Sequence, residues 1–245
     1  IKIFQNQNPN QFLVLNGDDG VLKPLANKAR PSTWLFSKHS VLQQGSFLEN
    51  GKIIFSHNQQ REEILPINEI KLLGVHNLEN VLAAITIASL AGASKAAIRT
   101  VVNEFQGLPH RIELVRVLNG VSFINDSKGT NIGATLKSLE SFPRPIILIA
   151  GGRDKGGNFR LLKQLIEEKV KKLILIGESK ELIKRALDYA SFITEAEDLE
   201  SAVHLAAQVS CAGDIVLLSP ACSSFDMFAN YEERGKVFKK AVLAL

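Results

Sequence analysis

The stretch IILIAGGRDKGG, residues 146–157, decides the fold of this chain. It joins five consecutive apolar residues to a loop that contains four glycines. A second short apolar run, IVLL, stands at residues 215–218. Strands without polar alternation are typical of parallel sheets that helices cover on both faces. The two runs therefore predict an α/β domain with a parallel sheet.

Strand and helix patterns alternate regularly beyond residue 108, which is the order of a doubly wound, mainly parallel, Rossmann-like sheet. Ligands bind such sheets at the carboxyl ends of the strands. The predicted elements are a hairpin through Asn119-Gly120, a helix after Asn131, a strand over 146–150, a helix from Phe159, a strand over 173–176 and two further helix–strand steps.

The first part of the chain predicts short strands followed by two helices. A strand is expected from Phe12 and a tight hairpin at Asn50-Gly51. Helical periodicity begins near Leu78, and Ser94 is placed to cap a second helix. The break at Gly107-Leu108-Pro109 predicts two domains, residues 1–107 and 108–245.

Composition excludes several classes of protein. The chain has 245 residues, 45% of them hydrophobic, and a net charge of +4. Its basic residues are scattered and few aromatics accompany them, which argues against nucleic acid as a partner. No apolar run is long enough to span a membrane. The two cysteines fit neither a disulfide framework nor a metal site, so we expect both to be packing residues of a cytoplasmic protein.

The chain opens at Ile1 and its single methionine is Met227. We therefore expect it to be an internal piece of a longer protein.

Three motifs follow predicted strands. The glycine-rich stretch 151–157 could hold an anion with Lys155, although its spacing fits neither a dinucleotide fingerprint nor a P-loop, and a flexible loop is the alternative. Asp126, Lys128 and Thr130 alternate along a segment expected to be extended, so their side chains could converge on a ligand. The third motif is the hydroxyl-rich turn within LLSPACSSFDMFANYEERG, residues 217–235.

Further candidates lie near the two helices of the first part and at the domain boundary. Asn77 and Asn80 form an i,i+3 pair that either caps a helix or pairs with an adenine edge. Arg111 is either a surface arginine or a phosphate contact. Asp18-Asp19 resembles a pair of magnesium ligands.

The chain resembles the Mur ligase family over its whole length. The resemblance rests on GVHNLEN at residues 74–80, NDSKGTN at 125–131 and the 217–235 stretch. It implies the last part of an α/β central ATPase domain, followed by a Rossmann-like C-terminal domain that binds the incoming amino acid. The implied reaction joins D-glutamate to UDP-N-acetylmuramoyl-L-alanine, with ATP and Mg²⁺, for peptidoglycan precursor synthesis.

The resemblance also implies roles for individual residues. Lys128 and Arg111 are expected to be catalytic, and no residue of this chain is expected to ligate metal; the Asp18-Asp19 turn is not the family's main metal site. Gly129, Phe225 and Tyr231 stand where alanine, leucine and phenylalanine are usual. The expected nucleotide contacts are His76, Asn77, Asn80, Arg111, Asp126 and Lys128, and the expected D-glutamate contacts are Thr130, Lys155, Ser224, Phe225, Asn230 and Tyr231.

About half of such an enzyme is missing, including the P-loop and the UDP-binding domain. We therefore expect the chain alone to be an inactive monomer. Two alternatives remain open. One is a non-catalytic remnant or binding module, and the other is a different amino-acid-adding Mur ligase or a relative of folylpolyglutamate synthase.

Overall fold

A computed structural model describes residues 2–72, 74–142 and 145–245, without the side chains of Val75 and His76. The chain divides into two compact units, Ile1–Gln106 and Gly107–Leu245. Within the described residues, no helix combines the length and apolar character needed to cross a membrane.

The first unit contains a five-stranded sheet in the order β1-β2-β3-β4-β5. β1, β2 and β3 run parallel, whereas β4 and β5 continue the sheet antiparallel. The predicted hairpin at Asn50-Gly51 is confirmed, with both residues at positive φ. The strands are Phe12–Asn16, Ser32–Ser37, Gly45–Glu49, Lys52–His57 and Gln60–Pro66.

Two helices complete this unit, α1 (Val75–Leu90) and α2 (Lys95–Glu104). α1 packs its apolar face on the sheet, where Leu82 and Ile85 are buried with Ile53 of β4. Ser94 caps α2, as predicted, by accepting a hydrogen bond from Ala97 N at 3.2 Å. The apolar periodicity of α1 is therefore what holds it to the sheet.

The second unit is the predicted doubly wound sheet, with six strands in the order β10-β9-β8-β11-β7-β6. The pairs from β10 to β7 are parallel, and β6 joins β7 through the antiparallel hairpin expected at Asn119-Gly120. The strands are β6 Glu113–Leu118, β7 Val121–Asn125, β8 Ile146–Gly151, β9 Val170–Ile176, β10 Ile193–Glu195 and β11 Ile215–Leu218; the helices are α3 Ile132–Glu140, α4 Lys163–Lys169, α5 Lys180–Ala186, α6 Leu199–Val209 and α7 Tyr231–Ala244.

Helices cover both faces of this sheet. Alternate residues of β8 enter two separate cores: Leu148 packs with α3, α4 and α5, and Ile147 packs with α6 and α7. Every residue of β8 is buried, as its unbroken apolar sequence predicts. Because α4 and α7 leave neighbouring strands β8 and β11 toward opposite faces, a crevice is expected between the carboxyl ends of these strands.

Two details differ from the sequence-based expectation. The helix expected from Phe159 begins as a 3₁₀ turn over Phe159–Leu162, where the Asn158 side chain accepts from Arg160 N at 3.2 Å, and becomes α-helical only in α4. The expectation that both cysteines are packing residues is wrong for Cys211, which is exposed, since it lies in the turn between α6 and β11.

Candidate functional site

Three loops leave the carboxyl ends of neighbouring strands of the second unit. We call them the Asp126 loop (residues 126–131, after β7), the glycine loop (152–157, after β8) and the Ser219 loop (219–230, after β11). β11 lies between β7 and β8 in the sheet, so the Ser219 loop is the middle one. The three predicted motifs therefore meet at one edge, as the parallel topology requires.

Backbone hydrogen bonds fasten these loops together. Ala221 N donates to Gly129 O at 2.9 Å, which joins the Ser219 loop to the Asp126 loop. Arg153 and Ser223 exchange two hydrogen bonds, each 3.0 Å long, which join it to the glycine loop. Gly152 makes this approach possible, because a Cβ at this position would lie 2.3 Å from Ser223 O. The three loops consequently form one platform.

The buried side chain of Arg234 supports this platform from α7. Its guanidinium donates to Ser127 Oγ at 3.0 Å, to Ser127 O at 2.9 Å and twice to Cys222 O at 3.2 Å. Burial lowers the pKa of Arg234 to about 10. Arg234 was not among the residues predicted from the sequence, because an arginine that follows two glutamates in a helix is usually exposed to solvent. The glycine that follows Arg234 was the available signal.

A second buried network fixes the turn that carries Arg111. Asn125, at the end of β7, donates from Nδ2 to His110 Nδ1 at 2.9 Å and to Glu113 Oε2 at 3.1 Å. A Cβ on Gly235 would lie 2.2 Å from His110 Nδ1, so α7 must present a glycine here. Desolvation lowers the pKa of His110, which favours the neutral ring that accepts from Asn125.

Asp126 points into the protein. The residue is 4% exposed, and its Oδ2 accepts from Ser138 Oγ at 2.6 Å and from Ser219 Oγ at 2.8 Å. Burial raises the pKa of Asp126 to about 6, and the hydroxyl donors oppose part of this rise. A Cβ at Gly129 would lie 2.6 Å from the same oxygen, so the glycine suits this buried carboxylate. A ribose contact by Asp126 stays a prediction.

The expectation of an extended segment through Asp126, Lys128 and Thr130 is wrong. Gly129 N donates to Asp126 O at 2.8 Å, and the chain turns there. The side chains therefore separate: Asp126 is buried, Thr130 is half-buried and Lys128 is exposed. The Lys128 ammonium lies 3.9 Å from the centroid of the Tyr231 ring.

The remaining predicted contacts of the amino acid lie on the other two loops and at the start of α7. Lys155 is exposed on the glycine loop, and Ser224 is buried while Phe225 is 63% exposed in the Ser219 loop. Asn230 is the N-cap of α7, its side chain accepting from Glu233 N at 2.8 Å. Tyr231 is half-buried beside the Asp126 loop.

In the first unit, the predicted asparagine pair lies at the start of α1. Asn80 Nδ2 donates to Asn77 Oδ1 at 3.1 Å. Gly74 is the N-cap of this helix, so neither asparagine is the N-cap residue itself. The adenine contact stays a prediction. The His76 side chain lies outside the described residues.

The aspartate pair and Cys222 have structural contacts. Asp18 accepts from Ser37 Oγ at 2.5 Å, which joins its turn to the end of β2, and Asp19 accepts from Val21 N at 2.7 Å within the turn. Among the described residues, no three His, Cys, Asp or Glu side chains gather as a metal site would require. Burial raises the pKa of the Cys222 thiol to about 11, which removes the thiolate a nucleophile needs.

Comparison with known proteins finds a matching family domain in each of the two units. The Mur ligase middle domain matches residues 1–88, and the "Mur ligase, glutamate ligase domain" matches residues 110–222. The chain is 46% identical to a UDP-N-acetylmuramoylalanine--D-glutamate ligase of Acidobacterium capsulatum, over 99% of this chain and 53% of that protein. A ligase of the same name from Thermoanaerobacter sp. is 46% identical over 100% of this chain and 55% of that protein. The chain thus spans about half the length of these relatives.

Solved structures share the fold at low identity. The MurF ligase of Thermotoga maritima, in complex with ADP, superposes with a TM-score of 0.67 at 17% identity, covering 99% of this chain and 56% of that one. A folylpolyglutamate synthase of Mycobacterium tuberculosis superposes with a TM-score of 0.58 at 15% identity, covering 89% and 52%. With both family domains matched in order along the sequence, this chain belongs to the Mur ligase family.

Proposed function

We propose that this chain is part of an ATP-dependent ligase that joins D-glutamate to UDP-N-acetylmuramoyl-L-alanine. The observation that carries the proposal is the 44–46% identity, along nearly the whole chain, to relatives that are named D-glutamate ligases. The platform of three loops at the strand ends supports it, because this is where a doubly wound sheet binds ligands.

The amino acid would be held on the platform by donors that match its two carboxylates. The exposed ammonium of Lys155 supplies a charge-assisted hydrogen bond, and the hydroxyls of Thr130 and Ser224 supply neutral ones. Phe225, Asn230 and Tyr231 would shape the rest of the pocket. Since the loops are fastened by backbone hydrogen bonds, these groups need little reorganisation on binding.

The nucleotide contacts are proposed from the family alone. Asn77, Asn80 and His76 would contact adenine, the cations Arg111 and Lys128 would contact the phosphates, and Asp126 would contact the ribose. Arg111 and Lys128 are exposed, which suits this role. Asp126 suits it less, because its carboxylate is already bonded to two serines.

Among the described residues, no three His, Cys, Asp or Glu side chains come together, so none of them is proposed as a Mg²⁺ ligand. An Mg²⁺ requirement of the whole enzyme is proposed only from the family.

The chemistry assigned to this chain is positioning and charge stabilisation. ATP activates the alanyl carboxylate of the acceptor as an acyl phosphate, and the amine of D-glutamate then attacks its carbonyl carbon and releases phosphate. Lys128 and Arg111 would stabilise the charge on the phosphoryl group. Lys155 and Thr130 would hold the amine near the carbonyl, a gain from proximity. No residue needs to form a covalent intermediate.

The experiment joins this chain to the N-terminal half of the Thermoanaerobacter relative and measures phosphate release. We expect release that depends on D-glutamate and on UDP-N-acetylmuramoyl-L-alanine. Lys155→Ala should raise the KM for D-glutamate roughly ten- to a hundredfold and the KM for ATP much less, because a charge-assisted hydrogen bond contributes about 1.5–3 kcal/mol. Lys240→Ala, near the far end of α7, is the matched control and should change neither KM.

Two outcomes would contradict the proposal. A joined protein that folds and binds ATP but releases no phosphate with both substrates would support a non-catalytic remnant. Equal use of other amino acids would support another member of the family.

A further inference from the structure

The Lys128 side chain has an unusual partner. Its ammonium lies 3.9 Å from the centroid of the Tyr231 ring, well within the range of a cation–π contact. Within the parts of the chain that the structure describes, no carboxylate lies within ion-pair distance of Lys128, and Glu232 attracts the ammonium only from further away. The aromatic face of Tyr231 is therefore the contact that holds this exposed cation.

Further contacts hold both Tyr231 and Lys128 in place. Its carbonyl oxygen accepts from Ser127 Oγ at 2.8 Å, one residue before Lys128. The Lys128 backbone N–H donates to His110 O at 2.9 Å, and the His110 ring meets the Tyr231 ring edge-on, with centroids 6.4 Å apart. Lysine and tyrosine are thus joined through backbone and side chain alike, which makes the contact a fixed feature of the loop.

We propose that Tyr231 is a positioning residue for Lys128, acting through the face of its ring. The inference rests on the proposed function, in which Lys128 stabilises phosphate charge and Tyr231 lines the amino-acid pocket. The contact then connects the two ends of the reaction, because the residue that borders D-glutamate also orients the lysine that faces the phosphoryl group. The ring face performs this role, and the phenolic hydroxyl is not required for it.

Lysine NMR tests the contact without any activity. Nζ above a ring places the neighbouring ε-methylene protons in its shielding region, so the Lys128 signal of the isolated chain should lie upfield of the other lysines. Tyr231→Phe should keep this shift and Tyr231→Leu should abolish it. The exposed Lys240 on the same helix is the internal control and should not move. A Lys128 signal at the ordinary lysine position in the unmodified chain would overturn the proposal.

Kinetics of the joined enzyme test whether the ring contact supports the role of Lys128 in the reaction. Tyr231→Leu should lower kcat about three- to thirtyfold, which corresponds to about 0.7–2 kcal/mol of lost cation–π energy. Tyr231→Phe should lower kcat clearly less than Tyr231→Leu, because phenylalanine keeps the ring face. In a Lys128→Met background, Tyr231→Leu should have little further effect, because the contact is already absent.

Two results would refute the positioning role. One is an equal loss in the Phe and Leu variants, which would assign the effect to the hydroxyl. The other is a loss from Tyr231→Leu of the same size with and without Lys128. If the joined enzyme is inactive but the NMR shift behaves as expected, the proposed function fails while the contact stands.

Discussion

Replacing Asp126 by asparagine should stabilise the second unit at neutral pH. The buried carboxylate accepts two hydroxyl donors but has no cation in hydrogen-bonding contact among the described residues, and its pKa is raised from 3.8 to about 6. A carboxyl group whose pKa is raised on folding stabilises the protein most below its unfolded pKa. That contribution is lost as the pH rises through the folded pKa.

The size of the effect follows from the shift. A rise of about two units corresponds to about 3 kcal/mol, which is fully lost above pH 6 or so. An asparagine is neutral at every pH. Its Nδ2 in the place of Oδ2 can donate to both serine hydroxyls, while its Oδ1 still accepts from Ile112 N. Near pH 7.5 we expect the Asn variant to be more stable than the unmodified chain by about 2–3 kcal/mol. Near pH 4.5 this stability gain should be about 2 kcal/mol smaller.

Amide hydrogen exchange in β7, β8 and β11 is the suitable assay. Fluorescence of Trp34, the single tryptophan, would report the first unit instead. Comparison of variant and unmodified chain at each pH cancels the intrinsic pH dependence of exchange. Asp188→Asn is the matched control, because Asp188 is exposed and Lys163 lowers its pKa. This variant should therefore show no stability gain that increases with pH. A stability gain from Asp126→Asn that is equal at both pH values, or larger at the acidic one, would show that ionisation of the buried carboxyl group does not destabilise the second unit.

Three further outcomes test the core beneath the platform. Arg234→Met should destabilise the second unit by about 2–5 kcal/mol, because it leaves the buried carbonyl oxygens of Ser127 and Cys222 without donors. The same exchange experiment measures this loss, and a loss below 1 kcal/mol would contradict the prediction. Gly235→Ala should lower the stability of the second unit by about 1–3 kcal/mol, because the added Cβ would lie 2.2 Å from His110 Nδ1. It should also shift the ring signals of His110 in NMR, and unchanged signals would contradict the predicted clash. Cys222 should resist iodoacetamide in the folded chain because of its raised pKa and burial, so mass spectrometry should find one modified cysteine, and two would show that the thiol is accessible.

The regular elements were predictable from sequence. Hairpins at Asn50-Gly51 and Asn119-Gly120, the cap at Ser94 and the buried strand 146–150 are local patterns, and the structure confirms each of them. Turn residues, caps and apolar runs act on neighbours a few positions away, so a single sequence contains that information. The order of these elements then limited the second unit to a doubly wound sheet, which placed the three motifs at one edge.

The chemistry beneath that edge depends on contacts between distant residues. The sequence predicted an extended segment at Asp126, and the structure has a turn with the carboxylate buried against Ser219, 93 residues away. Arg234 reads as a surface residue of α7, yet its guanidinium is buried against Ser127, 107 residues away. Local periodicity gives each of these residues a position on its own element. Only the packing of α7 against the strand-end loops decides which side chain leaves water and which backbone oxygens it must satisfy.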